Sequence, residues 1–217
     1  MSGLDQGSKV MTDTKERIFD EATRLFAEKG YSLTTVREIG AAAGISDSVI
    51  YRYFTDKAAI LDGVLERFLE MLKGYLLTSK QVDTLIDTLS SRELLNRCFP
   101  NFRKEDTEFM LKAYRVLFME QLTNEKAAAI VTWGLHDESA HSVQYILDRL
   151  IDRGEIPDFD TQFFSRLWAR AMFSLAMSWM SCPNSGISDE YYDFHRKMVN
   201  MAVSGHVPAK DDIFFTP

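Results

Sequence analysis

The chain has 217 residues, 46% of them hydrophobic, with 32 acidic against 25 basic side chains and a formal net charge of −7. That length and apolar content suit one large globular domain, or a small one joined to a larger one. The acidic balance excludes a protein held on nucleic acid by global charge, so any DNA contact must come from a local basic cluster.

Met1 to Met11 reads as a disordered N-terminal arm, with Met11 as an alternative start, and no apolar leader follows it. The first helical pattern comes next. Ile18, Ala22, Leu25 and Phe26 fall on one helical face, which closes in Phe26-Ala27-Glu28-Lys29-Gly30-Tyr31. The stretch Thr34–Lys57, TTVREIGAAAGISDSVIYRYFTDK, then carries the most specific signal. Thr35 followed by Glu38 is a capping box, in which hydroxyl and carboxylate each satisfy an orphan backbone donor. Val36 and Ile39 supply an inward face, and Gly44 ends the helix where a left-handed residue is needed. Ser46 is an N-cap for a second short helix whose Ile50, Tyr53 and Phe54 turn back to the core. Helix, glycine turn and capped second helix make a helix-turn-helix, which lays its second helix in the DNA major groove.

Gly44-Ile45-Ser46, the pair Val49-Ile50, Tyr51-Arg52-Tyr53-Phe54 and Lys57 resemble the signature of the tetracycline-repressor (TetR) family. The end of the first helix, Phe26 to Tyr31, resembles that family too. The likeness covers Thr12 to Leu72; beyond that it rests on helical layout. It implies an all-α fold, with an N-terminal three-helix helix-turn-helix DNA-binding domain and a larger helical ligand-binding and dimerisation domain. It further implies a ligand-responsive transcriptional regulator, most often a repressor. Such a protein binds a palindromic double-stranded DNA operator as a homodimer and is released by a small-molecule effector. Two positions depart from the family: Asp47 stands where a non-acidic residue is usual, and Gly40 where alanine is.

After the head, Thr55 or Asp56 caps a helix marked by Ile60, Leu61, Val64, Leu65, Phe68, Leu69, Leu72 and Leu76, running to about Leu77. Further helices are predicted at Val82–Arg97, Lys104–Gln121, Asn124–Arg153, Thr161–Ser181 and Ser188–Ser204. Pro100, Gly154 with Pro157, and Pro183 with Gly186 punctuate them. No alternating strand pattern of useful length occurs. The organisation expected is an arm (1–11), a DNA-binding domain (12–56), a helical domain (57–204) and a tail (205–217). The longest uncharged run, Ala171 to Ser188, holds Pro183, Asn184 and Gly186 and is too broken to span a bilayer. Cys98 and Cys182 lie far apart without metal spacing and read as reduced thiols, so a cytoplasmic protein with no membrane partner fits best.

The expected DNA contacts are Thr34, Thr35, Arg37, Ser46, Asp47, Ser48, Val49, Tyr51, Arg52, Tyr53 and Lys57. Amides at Thr34 and Thr35 suit a phosphate oxygen, and the same hydroxyls suit capping. Ser46, Asp47 and Ser48 open the recognition helix, the part that meets base edges. Asp47 either accepts from a cytosine amino group or complements the helix dipole. Val49 suits a thymine methyl, Tyr51 and Tyr53 suit phosphate, Arg52 suits guanine or phosphate, and Lys57 suits the DNA backbone. Lys29, Arg37, Arg52 and Lys57 form the local basic patch, diluted by Glu38, Asp47 and Asp56.

In the larger half, Met71, Tyr75, Phe99, Phe102, Phe109, Tyr114, Phe118, Gln121, Trp133, His136 and His141 are either ordinary core or the lining of an effector cavity, which the resemblance favours. Gln144 is a further polar candidate. His136 and His141 lie five apart, about 140° around a helix, and the His-Glu-x-x-His spacing is absent, so zinc catalysis is rejected. No cofactor, metal or catalytic motif is expected; the competing reading is an all-helical small-molecule-binding protein or enzyme without DNA-binding activity. Phe163, Phe164, Leu167, Trp168, Ala171, Met172, Leu175, Trp179 and Met180 cover more than one stripe of a helix. Such a helix belongs either to a thick monomer core or, as the resemblance also implies, to a two-fold dimer through the last two long helices; the dimer is expected, at Trp168, Ala169, Met172, Ala176, Trp179, Tyr191, His195, Met198 and Ala202.

Overall fold

The computed structural model describes residues 3–98, 104–181 and 187–205, and among them regular structure is helical with no strand. In chain order the helices are α1 (Gly3–Lys29), α2 (Val36–Ala43), α3 (Asp47–Ile50), α4 (Lys57–Tyr75), α5 (Ser79–Leu85), α6 (Ser91–Leu95), α7 (Lys104–Glu120), α8 (Glu125–Ala129), α9 (Glu138–Asp152), α10 (Thr161–Ser181) and α11 (Ile187–Ser204). A π-helical stretch, Ile130–Asp137, joins α8 to α9, and the Glu138 amide closes it onto the Trp133 carbonyl. Two compact units divide the chain: Met1–Glu70 with Phe102–Ala128, and Met71–Asn101 with Ala129–Pro217.

The first unit is built by helical periodicity. Ile18, Phe19, Ala22 and Phe26 of α1 are buried, as are Ile39 and Ala43 of α2, Ile50, Phe54, and Ile60, Leu61, Val64, Leu65 and Phe68 of α4. Met110, Ala113, Val116 and Leu117 supply the inward face of α7. Each large apolar side chain so buried contributes roughly 1.5–3 kcal/mol. At Gly63 a Cβ would stand 2.4 Å from Cε1 of the Phe19 ring, itself edge-on to Phe54 at 5.4 Å between centroids. Only glycine lets α4 approach α1 this closely.

Several boundaries differ from expectation, each for a local reason. The backbone of α1 is helical from Gly3, inside the stretch read as an arm; no proline interrupts it. Helix α4 stops at Tyr75 because Thr78 and Gln81 form a capping box that starts α5. The single helix expected over Val82–Arg97 is two helices, since Ser90 and Glu93 form another box that starts α6. The helix expected over Asn124–Arg153 contains the π stretch, and its start is fixed by Asn124, whose Oδ1 accepts from the Ala127 amide at 2.9 Å. Phe99, Pro100, Phe102, Cys182, Pro183 and Gly186 lie outside the described residues.

In the second unit α5, α6, α9, α10 and α11 share one core. Val143, Ile146, Leu147 and Leu150 of α9 pack with Phe164, Trp168 and Met172 of α10, Met198, Val199 and Ala202 of α11, and Leu94, Leu95 and Cys98. Burial pushes the Cys98 thiol up, which keeps it protonated and inert. This core corrects part of the expected association surface. Trp168, Ala169, Met172, Met198 and Ala202 are buried inside the unit, because the widest apolar arc of α10 faces α9 and α11. Ala176, Trp179, Tyr191 and His195 are half-buried. Among the described residues, the large apolar side chains that α10 and α11 leave exposed are Phe163 (44%), Leu167 (49%), Met177 (39%) and Tyr192 (56%).

Candidate nucleic-acid interface

The site begins with the turn that carries the chain from α1 into α2. Thr35 takes extended backbone geometry, and its Oγ1 accepts from the Glu38 amide at 3.2 Å. The Glu38 carboxylate in return accepts from the Thr35 amide and hydroxyl, each at 2.8 Å. The Lys29 ammonium pairs with the other Glu38 oxygen. That ammonium first, then the Thr35 hydroxyl and amide, hold the Glu38 carboxyl down at about 2, against an ordinary 4.5. A depressed carboxyl stabilises the fold while ionised, so its contribution is present above about pH 4.5 and lost as pH falls toward 2. Glu38→Gln is expected to remove that part of the acid-unfolding slope, read by circular dichroism across this window.

Gly44 sits at φ 67° and ψ 33°, the left-handed conformation that lets α2 end and the chain reverse. Arg17 of α1 donates to the Ala43 carbonyl at the same helix end. A Cβ on Gly40 would lie 3.1 Å from the Ile45 carbonyl and 3.2 Å from Cδ1 of Ile50, so the departure from alanine coincides with a tight α2–α3 crossing. Helix α3 is only four residues long. The Arg52 and Tyr53 amides continue it as tighter turns onto the Val49 and Ile50 carbonyls at 3.2 and 2.8 Å. Ser46 occupies the N-cap position, but its hydroxyl lies against that of Ser48 at 2.9 Å and makes no backbone cap bond. Asp56 starts α4 by accepting from the Ala59 amide at 2.8 Å.

These elements sort the expected DNA contacts. Thr35, Arg37, Ser46, Asp47, Ser48, Tyr51 and Arg52 are exposed, Val49 and Tyr53 half-buried, and Ile50 and Phe54 buried as anchors. Two expectations need correction. Thr34 is fully buried, its hydroxyl donating to the Gly30 carbonyl at 2.9 Å and its amide to the Tyr31 carbonyl at 3.2 Å, so its polar groups are engaged within the turn. Lys57 directs its ammonium inward, to the Tyr31 and Thr34 carbonyls at 2.8 Å each, and rests 4.2 Å from the Tyr31 ring centroid. The expected basic patch is therefore partly spent on the fold. Lys29 and Lys57 have internal partners, and Arg37 and Arg52 carry its exposed charge.

The expected effector residues divide between the units. In the first, the Arg67 guanidinium lies 4.2 Å from the centroid of Phe109, Tyr114 is edge-on to Phe68 at 4.7 Å, Phe118 tilts against Tyr114 at 5.9 Å, and Gln121 donates to the Phe118 carbonyl at 3.2 Å. In the second, Met71 and Tyr75 are half-buried on α4 and Trp133 is 67% exposed on the π stretch. His136 meets the Phe173 ring edge-on at 4.5 Å, its Nε2 buried without a hydrogen bond. Burial, then the charge of Arg170, lowers its pKa. His141 lines a cleft of about 520 Å³ in the second unit with Lys73, Leu76, Leu77, Glu138 and Tyr145. Lys73, Glu138 and Tyr145 line this cleft without having been among the expected residues. The i, i+3, i+7 spacing of Glu138, His141 and Tyr145 on one face of α9 was the available signal.

Comparison with known proteins adds to this geometry. The family profile described as bacterial regulatory proteins, tetR family, matches residues 18–64. The chain is 41% identical over 61 residues to the uncharacterised HTH-type transcriptional regulator YerO of Bacillus subtilis, covering 28% of this chain and 21% of that one. It is 42% identical over 60 residues to the HTH-type transcriptional repressor KstR2 of Rhodococcus jostii, covering 28% and 29% of the two chains. The chain thus matches less than a third of the length of these curated relatives. Over most of its length the fold is similar to that of a protein from Saccharomonospora viridis, described as a transcriptional regulator and solved in complex with choline. The TM-score is 0.65 at 19% identity, covering 88% of this chain and 95% of that one. Among the described residues no helix is long and apolar enough to cross a membrane.

Proposed function

As the chain belongs to the TetR family of bacterial regulatory proteins, we propose that it is a ligand-responsive transcriptional repressor that grips a palindromic operator as a homodimer. The observation that carries this reading is the exposed α2–α3 surface, where Thr35, Arg37, Ser46, Asp47, Ser48, Tyr51 and Arg52 all face solvent over a buried anchor of Ile39, Ile50 and Phe54. Arg37 and Arg52 supply charge to the phosphates or a fork to guanine, and Tyr51 a phenol to the DNA backbone. A head with so few open cations binds weakly alone, so affinity rests on two heads acting together. The exposed Phe163, Leu167, Met177 and Tyr192 supply the apolar surface for pairing two copies through α10 and α11.

The effector is a small molecule held in the second unit. The cleft beside His141 supports this, lined by two leucines together with an ammonium, a carboxylate and a phenol. Lys73, in the last turn of α4, lines that cleft, and Lys57 begins the same continuous helix. In this reading the ligand acts on the last turn of α4, the helix that leads back to the head. Release then requires the ligand to prefer the DNA-incompetent state, and about 1.4 kcal/mol of preference gives tenfold weaker binding.

The test is a mobility-shift titration with the duplex upstream of the protein's own gene. A retarded band that survives excess unrelated duplex supports the reading. Equal competition by both duplexes, or no band at low salt, contradicts it.

A further inference from the structure

We propose that Lys57 is a positioning residue that latches α4 to the turn before α2, and that it does not itself bind the phosphate backbone. For its consequence on DNA this rests on the repressor reading above. An ammonium has three N–H donors and no acceptor. Here they meet the Tyr31 carbonyl at 2.8 Å, the Thr34 carbonyl at 2.8 Å and, at the limit, the Ser32 carbonyl at 3.5 Å. The face of the Tyr31 ring, 4.2 Å away at its centroid, takes the remaining charge as a cation–π contact. Tyr31 is in turn packed edge-on against the fully buried Phe26 at 5.5 Å, so the seat is fixed from beneath. To reach a phosphate Lys57 would have to give up charge-assisted bonds already made inside the protein.

The carbonyls it holds are not arbitrary. Thr34 is the residue before the Thr35 N-cap, and its own hydroxyl is tied to the Gly30 carbonyl. Lys29 and Arg17 fix the two ends of α2 to α1, through Glu38 and the Ala43 carbonyl. Lys57 adds the first residue of α4 to the same turn. Displacement of the α4 start is thereby imposed on the N-terminus of α2, and with it on the angle at which α3 is presented.

Lys57→Met retains an apolar stem over Tyr31 and removes every donor. Its α2 amides are expected to exchange with deuterium about tenfold faster than wild type, with α10 amides unchanged. On duplexes that the wild-type protein selects from a randomised library, its affinity is expected to fall about tenfold. The slope of log affinity against log salt is expected to stay at the wild-type value. Lys57→Leu, which likewise removes every donor, carries the same comparison if the methionine variant does not fold. Wild-type exchange in α2 overturns the latch, and so does a salt slope shallower by about 0.9 per head, the signature of a lost phosphate contact. If the wild-type protein selects no duplex, the repressor reading fails, and the exchange measurement alone decides the latch.

Discussion

Replacing Arg37 and Arg52 together with alanine is expected to weaken binding to a selected operator duplex by about a hundredfold or more, with the fold intact. The size follows from how few cations the head leaves open. Lys29 is engaged by Glu38, Arg17 by the Ala43 carbonyl and Lys57 by the turn carbonyls, so Arg37 and Arg52 carry the exposed charge of the expected patch. Both are exposed and neither anchors the core, so circular dichroism and thermal unfolding are expected to match wild type. Anisotropy titrations at several salt concentrations separate the roles. An arginine on phosphate flattens the salt slope by about 0.9 per head, whereas one forked on guanine relaxes base preference at a single position by about 1–3 kcal/mol. Unchanged affinity removes both residues from the interface.

Leu167→Glu is expected to dissociate the homodimer while each protomer keeps its helices. Leu167 is 49% exposed, and a carboxylate there stays solvated in the monomer. In a two-fold interface the same carboxylate appears twice and must be desolvated against an apolar partner surface. Ala169→Glu does not make this test, because Ala169 is 2% exposed and a charge there disrupts the core of its own unit. Sedimentation at micromolar concentration is expected to give a dimer for wild type and a monomer for the variant. A monomeric wild type, or a variant that still pairs, excludes this face.

What the sequence revealed depended on whether the signal was local. The Thr35–Glu38 box and Gly44 act within a few residues, and the structure forms both as expected. The Thr78–Gln81 and Ser90–Glu93 boxes were written just as plainly, but apolar periodicity across Val82–Arg97 masked the break they impose. Lys57 shows the opposite limit. Its partners are backbone carbonyls more than twenty positions away, and no residue type announces a carbonyl that points inward. Helix α10 was recognisable, but its rotation was not. A helix apolar over most of its circumference gives no preferred direction, and Trp168 and Met172 turn inward only because α9 and α11 offer a matching surface. The effector site was least legible, since aromatic residues at helical spacing look the same in a core and in a cavity.

Whether two copies of this head read one symmetric DNA site is decided by selecting duplexes from a randomised library with the whole chain. The expected result is enrichment of an inverted repeat whose two half-sites are centred about one helical turn, roughly 34 Å, apart or a multiple of it. Recovery of no shared sequence, or of a single half-site without its inverted partner, would contradict it.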